Sequence, residues 1–397
     1  MTQLWRSKMS FPPRALLFLL LLVMVLTMTG CASRGSYYTG SGWPGMAVGE
    51  GVVYLADGSY FYSIDPTDGS LRWRYPAEGQ SSVAFWARPA VTEDGILVVG
   101  DFTDTLHALR DDGDSYEPLW TYTTDRARFV GSAAIAGDVV YAASVDGRVH
   151  ALDLATGEPM PDFDFQAERA IWSTPVLVDD VLYVTAMDQQ LYALDAATGA
   201  VRWQFDTAAD GRGGAMVGTP VYYEGVLYFG AFDNTIYALD AETQEVLWTY
   251  ETANWVWDSP VVTDGLLIGS DLDGNVFGLD ADTGQERWLV TVGGPVVSAP
   301  VIENGLVYFT CEDHKLYILD AETGQEAHRP TEVEIEFTDR FLFITTGTSL
   351  RSQPLHAAPV LYDDMVLIAV SQGNQLMVAL DQETQTLRWR FNPTAEE

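Results

Sequence analysis

Basic residues are scarce in this chain. Its 397 residues hold 21 Lys and Arg against 56 Asp and Glu, a formal charge of −35. Only two lysines occur, Lys8 and Lys315. Such a surface repels polyphosphate backbones and anionic headgroups, so no nucleic-acid partner is expected. Cysteine is equally rare, with Cys31 and Cys311 alone, so stability must come from an extensive core and not from a disulfide framework. Five histidines are spread without metal-ligand spacing. No Gly-rich phosphate loop, no Gly-x-Ser-x-Gly elbow and no helical hydrophobic period is present after the N-terminal region.

One long apolar run exists. Arg6, Lys8 and Arg14 precede "ALLFLLLLVMVLTMTG", whose apolar part of about 13 to 15 residues is short for a span needing roughly 20. Residues 1–31 therefore read as a signal peptide. Its end, "MTGC", resembles a bacterial lipobox, with Met28 in place of the usual leucine and Cys31 as the lipidation site. Acyl chains contribute about 0.8 kcal/mol per buried methylene and would hold the domain on a membrane. The alternatives are a secreted form and a retained anchor. Loss of residues 1–31 removes three positive charges, leaving 18 basic against 56 acidic residues, or −38. Residues 32–42, "ASRGSYYTGSG", read as a flexible tether.

From residue 43 to 397 the chain repeats itself. The phrases "LYALDAATGAVRW", "IYALDAETQEVLW" and "VFGLDADTGQERW" mark one recurring unit. Its aliphatic anchor falls at Ile64, Leu109, Leu152, Leu194, Leu239, Leu279, Leu319 and Leu380, at spacings of 45, 43, 42, 45, 40, 40 and 61. That is the period of a four-stranded propeller blade, eight times over. In residues 173–205, apolar and aromatic β-formers alternate with polar turn clusters. Asp195 is placed to accept turn N–H groups, and Gly199 to supply positive φ. The indoles of Trp73, Trp203, Trp248, Trp288 and Trp389 share one position, expected to cover seams between blades. The expected fold is an all-β, eight-bladed propeller of four-stranded antiparallel blades.

The pattern Ala-x-Asp-x-x-Thr-Gly-x-x-x-Trp resembles the tryptophan-docking motif of the pyrroloquinoline-quinone-repeat, or quinoprotein-type, β-propeller family, over residues 43–392. The resemblance implies the fold and leaves activity open. Two branches are relevant, the quinone-dependent dehydrogenases and a non-catalytic lipoprotein of the outer-membrane β-barrel assembly machinery. Size, lipobox and blade number favour the second. Blade 2 carries Arg110 in place of the motif aspartate, and blade 3 has Pro161 in place of tryptophan. Blade 7 has His328 there, followed by an insertion at about 329–353 that reads as an extended hairpin. It is either a partner-binding lip or a decorated edge.

The segments entering the inner strands concentrate rings and guanidinium groups. Trp86, Arg88, Trp172, Arg212, Trp255, Trp257, Asp258 and His356 are candidate channel-rim binding residues. Arginine forks and rigid rings suit a peptide segment or a small anion. The structural alternative is rings that plug the centre and arginines that pair with local acids. His107 and His150 stand where other blades have Tyr192, Tyr237 and Tyr317, a core position. "DLDGN" (271–275) resembles the start of a calcium loop but occupies a hairpin-turn position of the repeat. The expected function is a lipid-anchored, cell-envelope, non-catalytic scaffold for a partner protein, with outer-membrane protein assembly as its specific form, and with no cofactor and no metal. The alternatives are a dehydrogenase-like enzyme using pyrroloquinoline quinone with calcium, and a small-ligand sensor built on the aromatic and arginine rim.

Overall fold

The computed structural model describes residues 44–393 except 80–82, 126, 211–212, 342–343 and 372. The expected signal peptide at 1–31 with Cys31, the expected tether at 32–42 and Arg212 lie outside the described residues. Eight antiparallel four-stranded sheets follow one another along the chain. Blade 4 shows the pattern, with Val176–Val178, Val181–Thr185, Gln190–Asp195 and Val201–Asp206 in meander order. Each blade is contiguous in sequence, from Gly45–Gly49 at the inner edge of blade 1 to Leu387–Phe391 at the outer edge of blade 8.

The sequence dictates which strands are covered. In blade 4, Leu182, Tyr183, Val184 and Leu191 to Leu194 are all buried, on both faces of the sheet. A blade is sandwiched between two neighbours, so its middle strands are apolar at consecutive positions, not alternate ones. The outer strand, Val201–Asp206, alternates between exposed and half-buried residues. The apolar clusters consequently lie between blades. One joins blades 4 and 5 through Leu191, Met216, Phe229 and Leu239, and another joins blades 8 and 1 through Leu55, Ile64, Leu367 and Phe391. Eight such clusters serve eight seams, so the ring closes by side-chain packing.

Tryptophans tie the seams. Trp248 donates its indole N–H to the Ala281 carbonyl at 2.8 Å, Trp288 to Ala321 at 2.9 Å, and Trp389 to Pro66 at 2.8 Å, the last across the closure. Trp73 donates instead to Asp111 Oδ1 at 3.0 Å. Asp111 thus supplies the carboxylate that Arg110 displaces from the motif position. The rings of Trp248, Trp288 and Trp389 face a turn glycine of the next blade, at Gly284, Gly324 and Gly69. At Gly324 (φ 68°) a Cβ would sit 2.6 Å from the Trp288 ring. A β-bulge opposite the tryptophan, as between Ala193 and Leu194, aims the indole at its neighbour. Blade 3 lacks the ring, and there the backbone of Asp164 fills the space over Gly199 (φ 74°), its N–H bonded to the Thr198 carbonyl at 3.0 Å.

The insertion after blade 7 forms a two-stranded hairpin, Glu334–Phe341 with Ile344–Ser352. Its base is anchored, because Val333 and Ile335 are buried in the seam between blades 7 and 8. Asn374 also donates its backbone N–H to the Glu336 carbonyl at 2.8 Å.

Candidate functional site

The inner strands surround an axial cavity of about 1000 Å³ lined from all eight blades. Most inner strands are entered through a proline, at Pro89, Pro175, Pro220, Pro260, Pro300 and Pro359, which fixes an extended approach. The residue three positions earlier faces the cavity. From blade 2 to blade 8 these residues are Trp86, Val130, Trp172, Val217, Trp257, Val297 and His356, all lining it. Bulky rings alternate with valines around the ring. The preceding residues, among them Phe85, Phe129, Ile171, Met216 and Val256, are buried in the seams and hold the entrances in place.

Steric limits explain the small residue two positions before each proline. A Cβ at Gly131 would lie 2.6 Å from the Trp172 carbonyl oxygen, and one at Gly218 would lie 2.9 Å from the backbone of Asp258. Ser173, whose hydroxyl donates to the Thr185 carbonyl at 2.9 Å, and Ser298 also occupy this level. Asp258 is the exception. Its Oδ1 accepts the Ser259 N–H at 2.7 Å, and its Oδ2 accepts the Ala299 N–H of blade 7 at 2.6 Å. Withdrawal from bulk water pushes its carboxyl above the usual range, against the pull of those two donors. The carboxylate stitches blade 6 to blade 7.

Arg88 lines the cavity and is exposed. No hydrogen bond or ion pair joins it to any described residue. His356 Nε2 meets Glu312 Oε1 at 3.3 Å, while its Nδ1 is buried without a partner among the described residues. Burial pushes this imidazole toward its neutral form, and Glu312 opposes that shift. Trp172 and Trp257 meet edge to face at 6.5 Å between centroids, and Trp257 stacks on Phe232 at 5.4 Å.

The geometry thus brings together Trp86, Arg88, Trp172, Trp257, Asp258 and His356. Trp255 does not join them. It is 45% exposed and stacks at 4.6 Å on Phe232, the ring that also carries Trp257, without itself lining the cavity. Trp120 is a seam tryptophan outside the motif spacing, donating to the Leu154 carbonyl at 2.8 Å. Its signal is its place opposite Ala108, matching Trp203 opposite Ala193. His107 is buried and bonded to Asp101 at 3.0 Å, and His150 bonds Ser144 and Tyr122, both inside the fold. Asp271 of "DLDGN" accepts the N–H groups of Asp273 and Asn275 and shapes a hairpin turn.

A calcium–quinone centre would need ligands from acids at this rim, where Asp258 is the one acid among the inner-strand entrances. Calcium takes six to eight oxygen ligands, and each Asp258 oxygen here accepts one backbone N–H. Among the described residues no three His, Cys, Asp or Glu side chains gather as metal ligands. Cys311 is buried, bonded to the Gly294 carbonyl at 3.2 Å, and has no adjacent cysteine.

Known proteins carry the same architecture. The chain matches the family described as outer membrane protein assembly factor BamB over residues 2–160, 146–256 and 253–350. It is similar to the crystal structure of BamB from Moraxella catarrhalis, with 17% identity and a TM-score of 0.66, covering 84% of this chain and 94% of that one. It is equally similar to the computationally designed Ika8 protein, with 18% identity and a TM-score of 0.67, covering 85% and 95%. A natural and a designed chain match alike, so these likenesses speak for the fold alone. No curated protein sequence matches the chain significantly.

Proposed function

The chain belongs to the family of the outer membrane protein assembly factor BamB, and from that premise we propose that it is a lipid-anchored cell-envelope scaffold, without catalytic activity or cofactor, that holds a partner protein during outer-membrane protein assembly. The family match across most of the chain carries this reading. The site chemistry supports it, because the one acid among the inner-strand entrances is spent on joining two blades. A propeller presents many loops on a rigid ring, which suits recognition.

The test is affinity isolation of the full chain from cross-linked membranes, beside a Cys31→Ser variant. The expected result is co-isolation of an integral outer-membrane assembly component with the wild type, and release of the variant from the membrane fraction. Isolation of the chain alone would overturn the scaffold, and unchanged membrane attachment of the variant would overturn the lipid anchor.

A second reading, small-ligand sensing, is favoured by Arg88. A guanidinium without a partner among the described residues, sharing a cavity with the indoles of Trp86, Trp172 and Trp257, is suited to a small anion with an apolar body. Binding of a carboxylate from a metabolite panel that is lost in Arg88→Ala and Trp257→Ala supports it. Identical behaviour of wild type and both variants ends it.

A further inference from the structure

The repeat contains a guanidinium site four times, and blade 5 lacks the guanidinium. In blades 1, 4, 6 and 8, Oδ1 of the motif aspartate caps the turn, and Oδ2 receives an arginine seven residues on. Arg72 reaches Asp65 at 2.6 Å, Arg202 reaches Asp195 at 2.7 Å, Arg287 reaches Asp280 at 2.7 Å, and Arg388 pairs with Asp381. Each of the last three also grips the turn between the first two strands, at Asp180, the Gly265 carbonyl and Asp364 respectively.

Blade 5 keeps the arrangement of blade 6 except for the arginine. Asp240 Oδ1 accepts the N–H groups of Glu242 and Thr243 at 3.0 and 2.6 Å. The Gly225 carbonyl accepts the Ala241 N–H at 2.9 Å, as Gly265 accepts that of Ala281 at 3.0 Å in blade 6. The seventh residue is Leu247, 50% exposed, beside Val246 at 42%. No cation among the described residues reaches Asp240. Blades 3 and 7 also lack the arginine but differ in what replaces it. Met160 packs against its own blade seam, and Ala327 presents little apolar area.

We propose that the blade 5 turn is a docking point for a partner protein that inserts one arginine between Asp240 and the Gly225 carbonyl and lays an apolar side chain on Val246 and Leu247. Blade 6 already holds a guanidinium between the same two groups, Asp280 and the Gly265 carbonyl, and the motif aspartates of blades 1, 4 and 8 each hold one as well. A chain of charge −35 selects a basic partner. An exposed ion pair alone contributes little, so the apolar shoulder is what makes blade 5 a site and blade 7 not one. The inference rests on the scaffold reading only for its use in the cell, since binding at this turn is tested with a defined peptide.

The experiment is methyl NMR of the folded protein, labelled at Leu and Val, titrated with the blocked tripeptide acetyl-leucyl-arginyl-leucinamide and with its citrulline counterpart. The arginine peptide is expected to shift the Val246 and Leu247 methyls saturably at about millimolar concentration. The citrulline peptide should bind about two- to fivefold more weakly, as expected for loss of an exposed ion pair. Asp240→Asn should weaken binding similarly, and Leu247→Arg, which restores the internal pair, should abolish the Val246 shift while the protein stays folded. Asp320→Asn in blade 7 should change nothing. Equal shifts with both peptides, unchanged binding in Asp240→Asn or Leu247→Arg, or no shift at Val246 and Leu247 would overturn the proposal. If the peptide binds as expected while membrane isolation finds no assembly component, the docking point stands and the scaffold reading falls.

Discussion

Asp57 shows how one buried group governs stability. It is 8% exposed, with Oδ1 lacking a partner among the described residues, and burial pushes its carboxyl up to about 7 from 3.8. Between those values the folded state binds more protons than the unfolded state, so stability falls as pH rises from about 4 to about 7. The penalty is absent below the lower value and complete above the upper one, where it amounts to a few kcal/mol. Asp57→Asn is therefore expected to raise Tm at pH 8 by several degrees, with the gain vanishing near pH 4, in paired thermal melts. A second prediction concerns Gly324. Its φ of 68° opposes a side chain, and so does the Trp288 ring, which would lie 2.6 Å from an added Cβ. Gly324→Ala should cost about 2–4 kcal/mol in denaturant unfolding, whereas Gly305→Ala, also at positive φ but with open space around it, should cost only about 1 kcal/mol.

At the scale of elements, the hairpin between blades 7 and 8 has a buried base and an exposed upper strand. Ile335 is fully buried and Leu350 is 51% exposed. Ile335→Ala should destabilise by about 2–5 kcal/mol, and Leu350→Ala should stay within about 0.5 kcal/mol, both read from chemical denaturation. The hairpin is legible in sequence from the alternation of "EVEIEF", but its register is not, since "RFLFITT", expected as one strand, is divided between the two, with Phe341 paired to Ile344. Its anchoring is not, since Ile335 meets Gly373 and Val366 only through the ring's curvature. Trp120 is hidden by the longer turn "DDGDSYEP", which shifts its spacing while leaving its cross-strand partner unchanged. Trp255 departs from the expected rim for a related reason. In the irregular segment before an inner strand, sequence neighbourhood does not fix direction: Trp255 and Trp257 both stack on Phe232, and only Trp257 lines the cavity. The rest of the rim is readable because a proline three residues later sets the backbone in most blades. That Arg88 finds no partner among the described residues, and that Asp258 is doubly bonded, depends on neighbouring blades some 40 residues away, which no local pattern encodes.

At the scale of the whole molecule, closure is the one seam that no chain connection crosses, because each blade is contiguous in sequence. The seam between blades 8 and 1 carries Trp389, which is 8% exposed and hydrogen-bonded to Pro66. Trp389→Ala should cost about 3–5 kcal/mol and, unlike the equivalent change at Trp248, should increase amide exchange at both chain ends of the propeller first. Equal exchange patterns for the two variants would show that closure is no weaker than any other seam. The same rigid ring that makes closure matter also supports the proposed scaffold role, because loops on eight fixed blades keep their spacing. The most direct measurement is the rate at which newly exported β-barrel proteins fold in the outer membrane of cells lacking this chain, with and without its restoration. Slowed folding that the wild-type chain restores is the expected result; a folding rate indifferent to the chain's presence would contradict the scaffold role.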